Sequence, residues 1–135
     1  DFTLYKNATF GAGVGQYAYC ANTSYKCYNA ETAQLPADCE ELTFDKGCDK
    51  STEQYSGFKG RNSAEQSLGE ILELLDTTDV YVCGIATEYC VRNTAEDLQK
   101  AGFKVHLLSD CLAYVDGEGH RQALIEMAEN GICVE

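Results

Sequence analysis

The sequence predicts a doubly wound α/β domain, a parallel sheet with helices on both faces, and three observations point there. From Asn62 onward, apolar residues recur at helical spacing in three segments, apolar runs of strand length alternate with those segments, and the connections between them are short. Strand, helix, strand, helix, strand with short links requires parallel pairing through right-handed crossovers. Ligands in such sheets sit at the carboxyl ends of the strands, so the site is expected there.

The elements follow in order. Residues 1 to 60 are rich in Gly, Ala, Asn, Thr and Tyr and read as loops with short strands. One of these strands, Leu42-Thr43-Phe44, would deliver Lys46 and Gly47 to the crevice. Ser63-Ala64-Glu65-Gln66 has capping-box spacing, and Leu68, Ile71, Leu72 and Leu75 then line one face of a helix that ends near Asp76. Asp79 to Ile85 is a buried-strand run, followed by Thr87 as a helix cap and by Val91, Ala95 and Leu98 on one face, stopped by Gly102. Phe103 to Leu108 is the next strand, Gly119 to Asn130 a third helix carrying Ala123, Leu124 and Met127, and Ile132-Cys133-Val134 a short last strand.

A length of 135 residues with 44% hydrophobic content describes one domain over residues 1–135. Lys+Arg 10 against Asp+Glu 22 leaves a charge of −12, which repels phosphate backbones and anionic membranes and excludes nucleic acid as a partner. The longest uncharged apolar stretch, Val80 to Ala86, has the length of a strand and not of a membrane span. Eight Cys are dense for a reducing compartment, and the sequons Asn7-Ala8-Thr9 and Asn22-Thr23-Ser24 agree. Together they predict a secreted glycoprotein with disulfide bonds, proteolytically processed and glycosylated at Asn7 and Asn22.

Cys90 follows the end of the most hydrophobic strand by five residues, in the first turn of the next helix. Unpaired N–H groups and the positive end of the macrodipole favour a thiolate there, and the same amides could hold an oxyanion. An ammonium from Lys46 would favour the thiolate further, and a carboxylate would be needed to move the proton. The spacing leaves open the alternative of a buried structural or disulfide-bonded cysteine. His106, inside a strand, and His120, at a helix start, read as packed or solvated, as do the aromatics Tyr17, Tyr19, Tyr25 and Tyr28 in their loop.

Gly84-Ile85-Ala86-Thr87-Glu88-Tyr89-Cys90-Val91, followed by Thr94-Ala95 and Gly102-Phe103-Lys104-Val105, resembles the nucleophile segment of the nicotinamidase branch of the isochorismatase-like cysteine hydrolases. Lys46-Gly47-Cys48-Asp49 with Tyr55-Ser56-Gly57-Phe58 is similar to the family's catalytic-lysine segment, and Asp110-Cys111 to its Asp-Ala-Cys turn. The resemblance implies a Cys that attacks a carboxamide carbon, an Asp that carries the proton and a Lys that holds the pair. Carried over, Cys90 is the nucleophile, Lys46 the lysine, and the amides of Ala86 and Cys90 the oxyanion hole, with a cis peptide between Ile85 and Ala86. It also implies buried thiols at Cys83 and Cys111, which leaves Cys27, Cys39, Cys48 and Cys133 as additions for an oxidising compartment.

Two departures accompany the resemblance. The family's aspartate lies on a first strand that nothing here matches, and Asp1 to Phe10 aligns on a segment well inside a complete member. The domain is therefore expected to lack its first strand and helix. A separate N-terminal chain of the same precursor would complete it and carry the carboxylate, since a parallel sheet without its central strand would expose long unpaired edges. The family's divalent metal ligands are also lost: Asp1 is the only one retained, and the His positions read Thr3, Asn7 and Tyr19, so no metal cofactor is expected. Gln16 replaces the Trp that walls the ring.

Two functions are carried forward. The first is a secreted hydrolase of a small carboxamide, with weakened or altered activity, using Cys90, Lys46 and the partner's Asp; the second is an inactive glycoprotein kept for binding, storage or signalling. By analogy with the family, a homo-oligomer is also expected.

Overall fold

The computed structural model describes residues 2–6, 17–20, 40–46, 51 and 54–135, and for residues 2–6, 17–20 and 40–43 the backbone alone. The strands are β1 (Phe2–Lys6), β2 (Tyr17–Cys20), β3 (Glu40–Phe44), β4 (Asp79–Ile85), β5 (Lys104–Ala113) and β6 (Cys133–Val134). The helices are α1 (Leu68–Leu74), α2 (Arg92–Lys100) and α3 (Gly117–Glu129), and a π-helical turn, Thr87–Val91, joins β4 to α2. The strands form one sheet in the order β3-β1-β2-β4-β5-β6.

β2, β4, β5 and β6 are mutually parallel, whereas β1 runs antiparallel to both β2 and β3. The expectation of a wholly parallel sheet is corrected at β1. The link between β1 and β2 is shorter than the dozen or so residues a parallel crossover needs, so β2 returns beside β1 in the opposite sense. Two successive reversals leave β3 parallel to β4.

The three described helices lie on one face of the sheet. The connections β3–α1–β4, β4–α2–β5 and β5–α3–β6 all step in one direction across the sheet, so right-handed crossovers place α1, α2 and α3 on the same face. The packing agrees: Leu68, Ile71 and Leu72 of α1, Ala95 and Leu98 of α2, and Ala123 and Met127 of α3 share one cluster with Val80 and Val82 of β4 and Val105 and Leu107 of β5. The opposite face presents Tyr81, Cys83, His106 and Leu108, all buried. Residues Val80 through Gly84 are buried without interruption, as a central strand requires.

Local chemistry explains the boundaries. α1 starts at Ser67, which forms a capping box with Glu70, so the expected Ser63 box lies one turn too early. Ser67-Leu68-Gly69-Glu70 repeats the same spacing, and Leu68 is fully buried. All three helices end alike. In α2, Gly102 at φ +100° donates to Gln99 O and Phe103 donates to Leu98 O, at 3.0 and 3.2 Å. Gly131 does the same for α3 and Asp76 for α1, each with φ positive. No described helix is long and apolar enough to cross a membrane.

His106 of β5 stacks on Tyr81 of β4 with ring centroids 4.4 Å apart. Its Nε2 lies 2.8 Å from Asp79 and its Nδ1 2.7 Å from Glu135, which ties three strands together below the site. The hydrogen bond from His106 holds the Asp79 carboxyl below its ordinary value of 3.8. A carboxyl depressed in the folded state stabilises it above the unfolded pKa and loses that contribution as pH falls through the folded one. The stability difference between the wild-type chain and D79N, followed by urea unfolding, is therefore expected in full at pH 5 and to shrink steadily once the pH falls past 3.8.

Candidate active site

Parallel alignment of β3 and β4 brings their carboxyl ends to one edge of the sheet. At the end of β3 Phe44 is fully buried, and Asp45 exchanges two backbone hydrogen bonds with Arg61, at 2.8 and 2.9 Å. With the strand end held on both sides, Lys46 leaves it half-buried, and its Nζ donates to Gln54 O at 3.2 Å and to Cys90 Sγ at 3.3 Å. The two residues singled out from the sequence thus meet across 44 positions of chain.

The Gln54 carbonyl is placed from both sides. Gly57 N donates to Thr94 Oγ1 on α2 at 2.8 Å, a buried bond, and Phe58 packs on Gly69 of α1 so closely that a Cβ there would come within 2.8 Å of the ring. Two helices therefore fix the segment that gives Lys46 its second acceptor.

Cys90 is the fourth residue of the π-helical turn and not part of the first turn of α2. The Ala86 carbonyl accepts from both Tyr89 N and Val91 N at 3.1 Å, and the wider loop lets Thr87 and Val91, both fully buried, point inward while Cys90 stays half-buried. Thr87 is not a cap: its hydroxyl donates to Ala113 O at 3.1 Å and meets His120 Nδ1 at 2.9 Å. The Ile85–Ala86 peptide is cis. Ala86 immediately precedes the turn, so both amides assigned to the oxyanion hole belong to one local structure.

Around the thiol–ammonium pair, the rings of Tyr55 and Tyr89 lie 5.6 Å apart, and each belongs to a residue adjacent in sequence to Gln54 or Cys90. A cavity of about 380 Å³ opens beside Lys46 between Gln54, Lys59, Arg61 and Asn62. Among the described residues no carboxylate hydrogen-bonds Cys90 or Lys46.

The register of β1 with β2 sets Thr3 opposite Cys20 and Leu4 opposite Tyr19, so two positions that correspond to metal ligands in the resemblance are neighbours in the sheet. They hold hydroxyl-bearing residues where imidazoles are needed, and this donor chemistry does not fit a divalent ion of the zinc kind. Among the described residues no group of three or more His, Cys, Asp or Glu is placed to hold a metal ion. Asp1, Asn7, Gln16 and Asn22 lie outside the described residues, as do Tyr25 and Tyr28.

The expectation of disulfide bonds is corrected. Among the described cysteines, Cys83 in β4, Cys90 in the turn, Cys111 in β5 and Cys133 in β6 form no disulfide bond. Each of the four sits on a different element. Cys27, Cys39 and Cys48 lie outside the described residues. Asp110-Cys111, expected at a turn, falls inside β5, where five residue steps from Leu107 to Leu112 span two steps of β4. That bulge takes the place of a turn.

Sequence reasoning reached Lys46, Cys90 and Ala86 and missed Gln54, Glu88 and His120 as contributors. Gln54 acts through its carbonyl, which every residue has, and nothing in its side chain marks it. Thr94, quoted only as part of a motif, carries a readable signal: it lies four positions after Cys90 on the same helical face, a hydroxyl among apolar neighbours.

Residues 31–134 match the family described as Isochorismatase domain. The chain is 39% identical over 93 residues to the nicotinamidase/pyrazinamidase of Mycobacterium tuberculosis, covering 69% of this chain and 49% of that protein. It is 29% identical over 107 residues to the nicotinamidase of Schizosaccharomyces pombe, covering 79% and 47%. Among solved structures it resembles the pyrazinamidase of Pyrococcus horikoshii, determined in complex with zinc, at TM-score 0.60 and 42% identity over 67% of this chain and 48% of that one. The chain spans about half the length of the curated relatives it matches.

Two outcomes follow from this geometry. T94V leaves the buried Gly57 N–H without an acceptor and is expected to cost about 1–3 kcal/mol in urea unfolding, whereas T94S keeps the acceptor and most of the stability. K46M removes the cation that contacts Sγ, and the rate at which iodoacetamide alkylates Cys90 at neutral pH should fall by about tenfold, read by mass spectrometry of the Cys90 peptide.

Proposed function

Because the chain belongs to the isochorismatase family, we propose that it is a nicotinamidase-like cysteine hydrolase acting on a small carboxamide. The observation that carries this reading is the contact of 3.3 Å between Lys46 Nζ and Cys90 Sγ. In the proposed reaction the Cys90 sulfur attacks the carboxamide carbon, and the amides of Ala86 and Cys90 hold the oxygen as it becomes negative. The tetrahedral adduct collapses, nitrogen leaves as ammonia with the proton that a carboxylate first took from the Cys90 thiol, and water then cleaves the thioester, giving one proton to the sulfur and its hydroxyl to the acid. Lys46 holds the thiolate and stabilises its charge, and the Gln54 carbonyl fixes where the ammonium stands.

The proton carrier in this proposal is an aspartate on a second polypeptide, the N-terminal chain of the same precursor. Among the described residues no carboxylate hydrogen-bonds the pair. Secretion belongs to the same reading and rests on the sequons at Asn7 and Asn22. No step runs through a metal, because Thr3 and Tyr19 stand where the resemblance implies imidazoles. That replacement also supports the second reading, a catalytically silent glycoprotein retained for binding, storage or signalling.

Incubation with nicotinamide and a panel of small amides separates the two. Ammonia release that C90A reduces on the order of 10⁴-fold, and that prior alkylation blocks, supports the hydrolase. Ammonia release unaffected by a chelator is expected on the same reading. Silence toward every amide, from a protein that copurifies with its N-terminal chain and whose Cys90 alkylates readily, supports the binding glycoprotein.

A further inference from the structure

We propose that Glu88 is a positioning residue for Cys90, holding the turn that carries the thiol against the backbone amides that open α3. The proposal rests on the reading of Cys90 as a working nucleophile. It concerns a side chain that neither attacks nor carries a proton.

The geometry is a two-point contact. Glu88 Oε1 accepts from Val115 N at 3.1 Å and Oε2 accepts from Asp116 N at 2.9 Å, so the two oxygens of one carboxylate engage two successive amides. Asp116 is the N-cap of α3 and accepts from Gly119 N at 2.8 Å. Burial pushes the Glu88 carboxyl up, but the amides of Asp116 and Val115 outweigh it and leave the group below its ordinary value, so it is an anion at neutral pH.

A second tie runs parallel to the first. The single hydroxyl proton of Thr87 goes to Ala113 O, so His120 Nδ1 must be the donor in the 2.9 Å contact with Thr87 Oγ1. Consecutive residues of the turn, Thr87 and Glu88, are therefore bonded to the junction of β5 with α3. The bond from Thr87, a fully buried residue, fixes the inner side of the turn, and Glu88 fixes the outer side. Cys90 lies two residues beyond, and its contact with Lys46, 3.3 Å from Nζ to Sγ, is kept only while the turn holds the sulfur toward the ammonium, so a rotation of the turn that moves Sγ away weakens it.

The test uses the full chain and reads Cys90 directly, without a substrate. E88A removes both acceptors; E88Q keeps the shape but turns an amide N–H₂ toward a backbone N–H. In folded protein, both should slow alkylation of Cys90 by iodoacetamide about tenfold. In a K46M background the E88A effect should shrink to within about twofold, because the contact that Glu88 maintains is already gone.

Unchanged alkylation in folded E88A and E88Q overturns the proposal, and so does a slowing that persists undiminished in K46M. If neither variant folds, Glu88 is a structural cap of α3 and the positioning role is likewise overturned. If alkylation slows as expected in a protein that hydrolyses no amide, the positioning role stands and the hydrolase reading fails.

Discussion

The parallel alignment of β3 with β4 is the constraint on which the rest of the site depends. It brings two strand ends, far apart in sequence, to one edge of the sheet, where side chains of ordinary length can meet. Lys46 needs only two residues beyond β3 and Cys90 only five beyond β4 to come within 3.3 Å. Had β3 entered antiparallel to β4, its end would lie at the opposite edge of the sheet, away from Cys90.

The layers around this contact divide the work. The apolar cluster beneath the sheet holds the strands and helices, and its fully buried members, Phe44 and Val91, reach up to the roots of both functional segments. Polar atoms then set the last ångström: Thr94 holds the Gly57 backbone, the Gln54 carbonyl accepts a hydrogen bond from Lys46, and Thr87 and Glu88 bind the turn to the start of α3. Directional bonds suit that task because burial alone is indifferent to small rotations of a turn.

The site also departs from the pattern it resembles in a chemically coherent way. Where that pattern has imidazoles, this chain has Thr3 on β1 and Tyr19 on the adjacent strand β2. The sulfur and its ammonium remain, on the side of the sheet edge built by β3, β4 and α2. One set of donors is replaced, while Lys46 and Cys90 remain in contact.

Much of this was legible in the residues themselves. Apolar periodicity located α1, α2, α3, β4 and β5 because a face that must be buried has to repeat at the period of its backbone, and Gly102 marked the end of α2 because only glycine enters that conformation freely. Cys90 could be placed after β4, and Lys46 after β3, from local pattern and resemblance alone. Strand order and direction were decided by tertiary structure, and with them the placement of the described helices on one face, the reversal at β1, the bulge in β5 and the unbridged state of Cys83, Cys90, Cys111 and Cys133. Periodicity records which face of an element is covered and is silent on what covers it. The partners of Gln54, Thr94, Glu88 and His120 depend on where distant backbone atoms come to rest, and only the folded chain contains that information.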